Sequence, residues 1–283
     1  MGKQFGISVV AAAVILFAGC SSDHASAPGY GTMNVRMTDD PGEFDQVNLV
    51  ITQVSARVED FDPDSTDPDS TDVDSTDGDF DDEDGGWIVL ENDKATFDLM
   101  TLQNGQFATI GSALVPAGHY TEIRLKLGAG SNVVVDGVTH SLVVPSGMQS
   151  GLKLKGSFDV PTGGIFDIAL DFDAGRSIFQ TGTGQYMLKP VIKILAARVA
   201  GGITGHILPA GALATIYATQ LPDTVGSARA AADGHFMLAV LSAGSYDLTV
   251  HPDSGYRDTT LFGVSVETGL TKDVGGIQLT PLQ

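Results

Sequence analysis

Between residues 59 and 84 the chain carries fourteen carboxylates and no cation. Hard oxygen donors at that density are the chemistry of calcium. The run is built on a repeat: Asp64-Ser65-Thr66-Asp67-Pro68, Asp69-Ser70-Thr71-Asp72-Val73 and Asp74-Ser75-Thr76-Asp77-Gly78. No window completes an EF-hand loop. From Asp77 the carboxylates fall at positions one, three and five, but Asp82 stands where that loop needs glycine. Weak calcium association through Asp72, Asp74, Asp77, Asp79 and Asp81 is therefore expected, beside the plainer alternative of a solvated spacer. With so little to bury and so much self-repulsion, the run is expected to be disordered without counter-ions. A second carboxylate pair comes from strand parity. Residues 152–160 and 166–173 both place apolar side chains at even positions, which reads as a hairpin closed by residues 161–165. That register sets Lys155 opposite Asp171, Lys153 opposite Asp173, and Asp159 opposite Asp167. Facing carboxylates repel unless a proton or cation lies between them. A divalent cation at Asp159 and Asp167 is one reading, ligand contact another, and screened surface charges the plainest.

Nucleophilic chemistry finds less support. Ser150-Gly151-Leu152-Lys153 resembles the serine-x-x-lysine pattern of penicillin-recognising enzymes, which needs both residues one helical turn apart. Here Leu152, Leu154 and Phe158 alternate with Lys153, Lys155 and Asp159, a strand pattern. The six histidines show no metal-ligand spacing, and neither a glycine-rich phosphate loop nor a Gly-x-Ser-x-Gly elbow is present. The expectation is a protein that is not an enzyme and has no cofactor beyond weakly bound calcium. The expected role is surface binding, adhesion or envelope architecture; the alternatives are an envelope hydrolase with a scattered site and a calcium-responsive structural spacer.

Cys20 is the lone cysteine in 283 residues, and it closes an apolar run from Phe5 to Gly19 that follows Lys3. Such a run is an export signal, short for a membrane span. Ala18-Gly19-Cys20 resembles a bacterial lipobox, with Phe17 where leucine is usual, which implies acylation at Cys20. The flexible residues 21–31 form a tether, and Ser21 is not the aspartate of an inner-membrane retention signal. The expected location is the cell envelope, lipid-anchored, on the outer membrane where the host has two. The formal charge is −20, but only −6 without the acidic run. Nucleic acid is an improbable partner for such a surface; the membrane, a glycan or another envelope protein fits better.

The elements between these residues are strands. Met33, Val35 and Met37 alternate with polar residues, and Asp39-Asp40-Pro41-Gly42 is a turn cluster. Val47, Leu49 and Ile51 then give way to Val54, Ala56 and Val58, a change of parity that predicts a β-bulge near Thr52-Gln53. Residues 97–102 suggest a short helical or turn-rich connection, and Asp136-Gly137 a hairpin. Six ordered motifs follow: Trp87-Ile88-Val89-Leu90, Phe97-Asp98-Leu99, Pro116-Ala117-Gly118-His119-Tyr120, Val144-Pro145-Ser146-Gly147, Ser150-Gly151-Leu152-Lys153 and Leu170-Asp171-Phe172-Asp173. Together they resemble a bacterial lipoprotein domain of unknown function, family number 4382, which implies an envelope location and no activity. Beyond residue 200, Asp233-Gly234-His235-Phe236 and Ser242-Ala243-Gly244-Ser245-Tyr246 resemble a carboxypeptidase-regulatory-like, transthyretin-type β-sandwich, a class grouped with carbohydrate-binding-like folds. Phe236, Leu238 and Val240 are expected on one face, as are Tyr246, Leu248 and Val250. The fold class is thus all-β. Residues 1–19 are read as a signal peptide and 20–30 as the lipidated tether. A β-sandwich-like domain spans 31–197, with the acidic insertion at 59–86, and a smaller sandwich spans 201–283.

Overall fold

The computed structural model describes residues 29–40, 42, 44–59, 86–145 and 151–282. It is nearly all β. The first thirteen strands are β1 (Tyr30–Asp40), β2 (Gln46–Val58), β3 (Trp87–Glu91), β4 (Ala95–Asp98), β5 (Ala108–Pro116), β6 (Gly118–Leu127), β7 (Asn132–Val135), β8 (Val138–Val143), β9 (Leu152–Val160), β10 (Ile165–Asp173), β11 (Ile178–Gln180), β12 (Tyr186–Leu188) and β13 (Ile192–Ala196). One sheet runs β13-β10-β1-β5. The other runs β11-β12-β8-β7-β2-β6-β9, with β3 and β4 also paired to β2. Their inner faces bury Met33, Val35, Leu49, Val54, Ile123, Leu125, Phe158, Ile168 and Leu170 in one core, each large side chain contributing about 1.5–3 kcal/mol by leaving water.

The parity change in β2 is a bulge: Ile51 opposes Leu127, but Gln53 opposes Lys126, so Thr52 is looped out of the ladder. The odd-numbered residues before it and the even-numbered residues after it both reach the core. Asp136 and Gly137 take positive φ (49° and 73°) and close the β7–β8 hairpin, as two-residue turns with mirror-image geometry require. After β4 the chain makes a single 3-10 turn, Leu99–Leu102, capped by Asp98, whose Oδ1 accepts from Met100 N at 3.1 Å. The Asp39-Asp40 pair is not a turn, because β1 runs through Asp40.

The proposed hairpin of residues 152–160 with 166–173 is not formed. β9 pairs with β6 in the large sheet, whereas β10 lies between β1 and β13 in the other. Residues 161–164 therefore arch from one sheet to the other. Strand parity cannot separate the two arrangements, since an arch also turns both apolar faces into the sandwich. Lys155 opposes Glu122 and Lys153 opposes Arg124, so neither pairs with Asp171 or Asp173.

Seven further strands are β14 (Gly201–Leu208), β15 (Ala214–Gln220), β16 (Asp223–Arg229), β17 (His235–Leu241), β18 (Gly244–Pro252), β19 (Thr259–Val266) and β20 (Thr271–Gln278). They form sheets β17-β14-β20 and β16-β15-β18-β19 around a separate core containing Phe236, Leu238, Tyr246, Leu248 and Val250. The expected alternation in β17 breaks at Val240, whose φ is 52°, and Leu241 takes the next place in this core. Both cores are closed by the same local device. In Pro116-Ala117-Gly118-His119-Tyr120 and Ser242-Ala243-Gly244-Ser245-Tyr246, the tyrosine hydroxyl donates to the carbonyl four residues upstream, at 2.8 and 2.6 Å. Burial raises the pKa of both hydroxyls, Tyr120 the more strongly, and keeps them protonated as donors.

Candidate functional site

The densest buried charge in the described residues lies where the two cores meet. Parallel strands β1 and β10 end side by side, with Thr38 opposite Asp171 and Asp40 opposite Asp173. Antiparallel β13 sets Lys193 opposite Asp171. Asp171 is 1% exposed, and Asp39 and Asp40 are 4% exposed each. Lys193 Nζ lies 2.6 Å from Asp171 Oδ2 and donates to the Val225 carbonyl at 2.5 Å, on the far side of the junction. Asp40 Oδ2 accepts from Ser227 N at 2.9 Å, also across it. Asp173 caps the short helix α1 (Ala174–Ser177) by accepting from Arg176 N at 2.8 Å, and Arg176 donates to the Thr224 carbonyl at 3.3 Å. Asn104 completes the seam: its side chain donates to the Arg229 carbonyl at 3.0 Å and accepts from Met237 N at 3.2 Å.

Burial pushes the carboxyls of Asp39 and Asp40 well above the usual range. It also raises those of Asp171 and Asp173, against the pull of Lys193 on the former and of the Arg176 backbone and guanidinium on the latter. For Lys193 burial works downward, but Asp171, Asp40 and Asp173 together hold its pKa up. Asp171 Oδ1 is buried without a hydrogen-bond donor. The chemistry of this arrangement is a cation clamp. One half-buried ammonium compensates a group of carboxyls and ties them to the backbone of the second core. Among the described residues no three His, Cys, Asp or Glu side chains come together as a metal centre.

The two carboxylates expected to share a cation are not cross-strand partners. Asp159 lies on β9 opposite His119, with its Oδ1 2.8 Å from His119 Nδ1. Asp167 lies on β10 opposite Asn34, accepting from Asn34 Nδ2 at 2.8 Å and from Arg36 at 3.1 Å. It also lines a cleft of about 330 Å³ with Pro161, Ile165, Phe166, Ala197 and Arg198, where the Arg198 guanidinium sits 5.5 Å from the Phe166 ring. Cys20, Ser150 and the five aspartates Asp72, Asp74, Asp77, Asp79 and Asp81 lie outside the described residues.

Two arrangements were not anticipated. Ser157 Oγ is 3.3 Å from His119 Nε2 while Asp159 holds Nδ1, an order of groups that resembles a Ser-His-Asp relay. It stands on an open strand surface with Asp159 81% exposed, and Glu59 Oε2 approaches the same Nε2 at 3.7 Å. Asp159, accepting from the His119 ring, raises the His119 pKa, with Glu59 adding to the rise, which favours an imidazolium over a general base. The other is a basic face. On the side of β2, β6 and β9 away from the core lie Arg57, Arg124, Lys126, Lys153 and Lys155, five of the chain's fifteen Lys and Arg. Trp87 shares that face, with the Arg124 guanidinium 4.3 Å and Lys153 Nζ 5.5 Å from its ring. Alternation alone shows the outward cations of each strand. The order of the strands, which brings them together, is not written in it.

No curated protein matches the chain. Among solved structures it is loosely similar to the TIE protein of Bacillus anthracis (12% identity, 90% of this chain and 34% of that one, TM-score 0.24). It is as loosely similar to GBS52, the minor pilin of Streptococcus agalactiae (12%, 89% and 97%, TM-score 0.22). A putative cell adhesion protein of Bacteroides fragilis stands at 11% identity, 88% and 97% coverage and TM-score 0.21. The chain spans about a third of the length of the TIE protein, and scores this low carry no argument. A family model does match, over residues 30–190. That span holds β1 to β12, every strand of the two facing sheets except β13, and four of the five residues of the buried clamp, and the chain therefore belongs to the family described as domain of unknown function DUF4382.

Proposed function

We propose that this protein is an exported, lipid-anchored module of the cell envelope that works as a structural or adhesive strut. The observation that carries the proposal is the clamp at Lys193. The most deeply buried charges of the described residues are spent on the junction, where Lys193 and Asp40 bind the Val225 and Ser227 backbone of the second core. A protein that must hold a binding surface at a fixed distance from a membrane needs such a joint, because default inter-domain contacts leave the parts free to move. The anchor is the acylated Cys20 at the end of the apolar run, with residues 21–31 as its tether. Two acyl chains give stable attachment where one does not. The second core, read as a carboxypeptidase-regulatory-like sandwich, would present the surface for a glycan or another envelope protein, and the membrane is the partner at the other end.

Labelling with a fatty-acid analogue, followed by membrane fractionation of wild type and Cys20→Ser, tests the anchor. Label in the wild-type membrane fraction, lost in the variant, supports the proposal; an unlabelled soluble wild type overturns it. A second reading, a surface hydrolase, is favoured by the Ser157–His119–Asp159 geometry alone. Ester turnover abolished by Ser157→Ala would establish it, and unchanged background rates would dismiss it.

A further inference from the structure

We propose that the end of the first core bearing Tyr30, Leu114 and Ile165 rests on the lipid bilayer that holds the chain, with these side chains in the lipid interface. The inference rests on the acylated Cys20 proposed above. Contiguous apolar surface is its first support. Thr32 of β1 pairs with Leu114 of β5 on one side and with Ile165 of β10 on the other. The three form one row across the outer face of that sheet. Leu114 is 67% and Ile165 70% exposed, and Tyr30, two residues before Thr32 on the same face, is 55% exposed. Apolar side chains exposed singly need no explanation, whereas a contiguous group marks an interaction surface.

The polar chemistry around the row suits a headgroup region. Tyrosine belongs at membrane interfaces because its ring is apolar and its hydroxyl wet. Arg198 is exposed in the cleft that it lines with Ile165, a cation for lipid phosphates. Asp167, the carboxylate of the next row, is already held by Asn34 and Arg36, which offsets its charge.

Position is the third support, and it names the occupant. Tyr30 is ten residues from Cys20. Whatever path those residues take, they reach at most about 33–36 Å. β1 itself rises about 33 Å from Tyr30 to Asp40, and Asp40 is tied to the second core. A lipid at Cys20 thus keeps the Tyr30 end near the bilayer and leaves the joint standing away from it. The patch then meets lipid by an intramolecular encounter, which raises its effective concentration. The rows of Tyr30 and Thr32 are about 7 Å apart, within the roughly 5–10 Å to which interfacial apolar faces sink.

The experiment uses the full chain without acylation, coupled through the Cys20 thiol to a maleimide phospholipid. The vesicles are brominated phosphatidylcholine with a minor share of phosphatidylglycerol. Coupling supplies the anchor chemically, so the result does not depend on acylation in the cell, which fatty-acid labelling tests separately. Leu114→Trp and Ile165→Trp report the patch. Thr139→Trp is the distal control, since Thr139 is exposed and lies opposite Val134, itself opposite Gln46 where β2 starts. Trp87, 1% exposed, is a constant background. Emission from both patch tryptophans should shift to the blue and be lost to bromine, while Thr139→Trp keeps its emission. Adding Tyr30→Glu and Ile165→Glu to Leu114→Trp should abolish its quenching, with far-UV circular dichroism confirming the fold. Patch quenching no greater than that of Thr139→Trp, or quenching that survives the two glutamates, would overturn the proposal. So would a blue shift without vesicles that grows with protein concentration, because it would assign the patch to a second copy of the chain.

Discussion

Replacing Lys193 by Met removes the ammonium that lies beside Asp171 and Asp40 on their own sheet and reaches the Val225 carbonyl across the junction, while keeping the length of the side chain. Removing one member of a buried ion pair costs about 3–5 kcal/mol. Lys193 keeps 37% of its side chain exposed, so solvent screening lowers that to roughly 2–3 kcal/mol. For chains of this size the melting temperature should fall by roughly 5–10 °C. The loss should depend on pH in a particular direction. The carboxyls of Asp40 and Asp171 are raised in the folded state, so their contribution to stability is full below the unfolded value near 3.8 and is lost as pH rises through the folded one. The raised Lys193 makes its own contribution below about 10.5, and loses it only above its folded pKa. In the variant the freed carboxyls take up protons as pH falls, and the penalty shrinks. Thermal unfolding at about pH 8 and about pH 5 measures it, with the larger difference between wild type and variant expected at the higher pH. A penalty under about 1 kcal/mol, or one equal at the two pH values, would refute the clamp.

Tyr120→Phe deletes the buried bond to the Pro116 carbonyl and should cost about 1–2 kcal/mol in denaturant unfolding. Gly234→Ala should cost more than 1–2 kcal/mol, the rough scale for a left-handed alanine, because φ is 87° and a Cβ would sit 2.3 Å from the Ile207 oxygen; urea titration checks it. The His119 imidazole should titrate above 6.5 by NMR, and Asp159→Asn should lower it, because the Asp159 hydrogen bond is the largest cause of the rise. Its pairing is therefore complete below about pH 6.5 and fades as pH climbs through the folded value.

Local features were legible in the sequence wherever one strand's own pattern decided them. The parity change at Ile51 and Val54 contained the bulge, and Asp136-Gly137 contained its hairpin. The family resemblance rested on motifs that lie inside the matched span 30–190. What failed was pairing between strands. Residues 152–160 and 166–173 satisfy an arch between sheets as well as a hairpin, because both bury the same even-numbered side chains. The clamp was missed for a related reason. Asp171 and Asp173 alternate with Leu170 and Phe172, which reads as an outward polar face, yet β10 is an interior strand whose outer side is covered by the second core. Long-range cover leaves no mark on local periodicity. Asp39-Asp40 was hidden by its neighbours Pro41-Gly42, whose turn chemistry drew the strand end too early.

The central claim is that the Lys193 clamp makes the two cores one rigid strut. The most direct measurement is the distance distribution between spin labels at Thr139 and Ser265, both exposed and one in each unit. Cys20→Ser supplies the cysteine-free background, since the chain has no other thiol. A single narrow distribution in wild type, broadened by Lys193→Met, is the predicted result. A broad wild-type distribution, unchanged by that substitution, would contradict it.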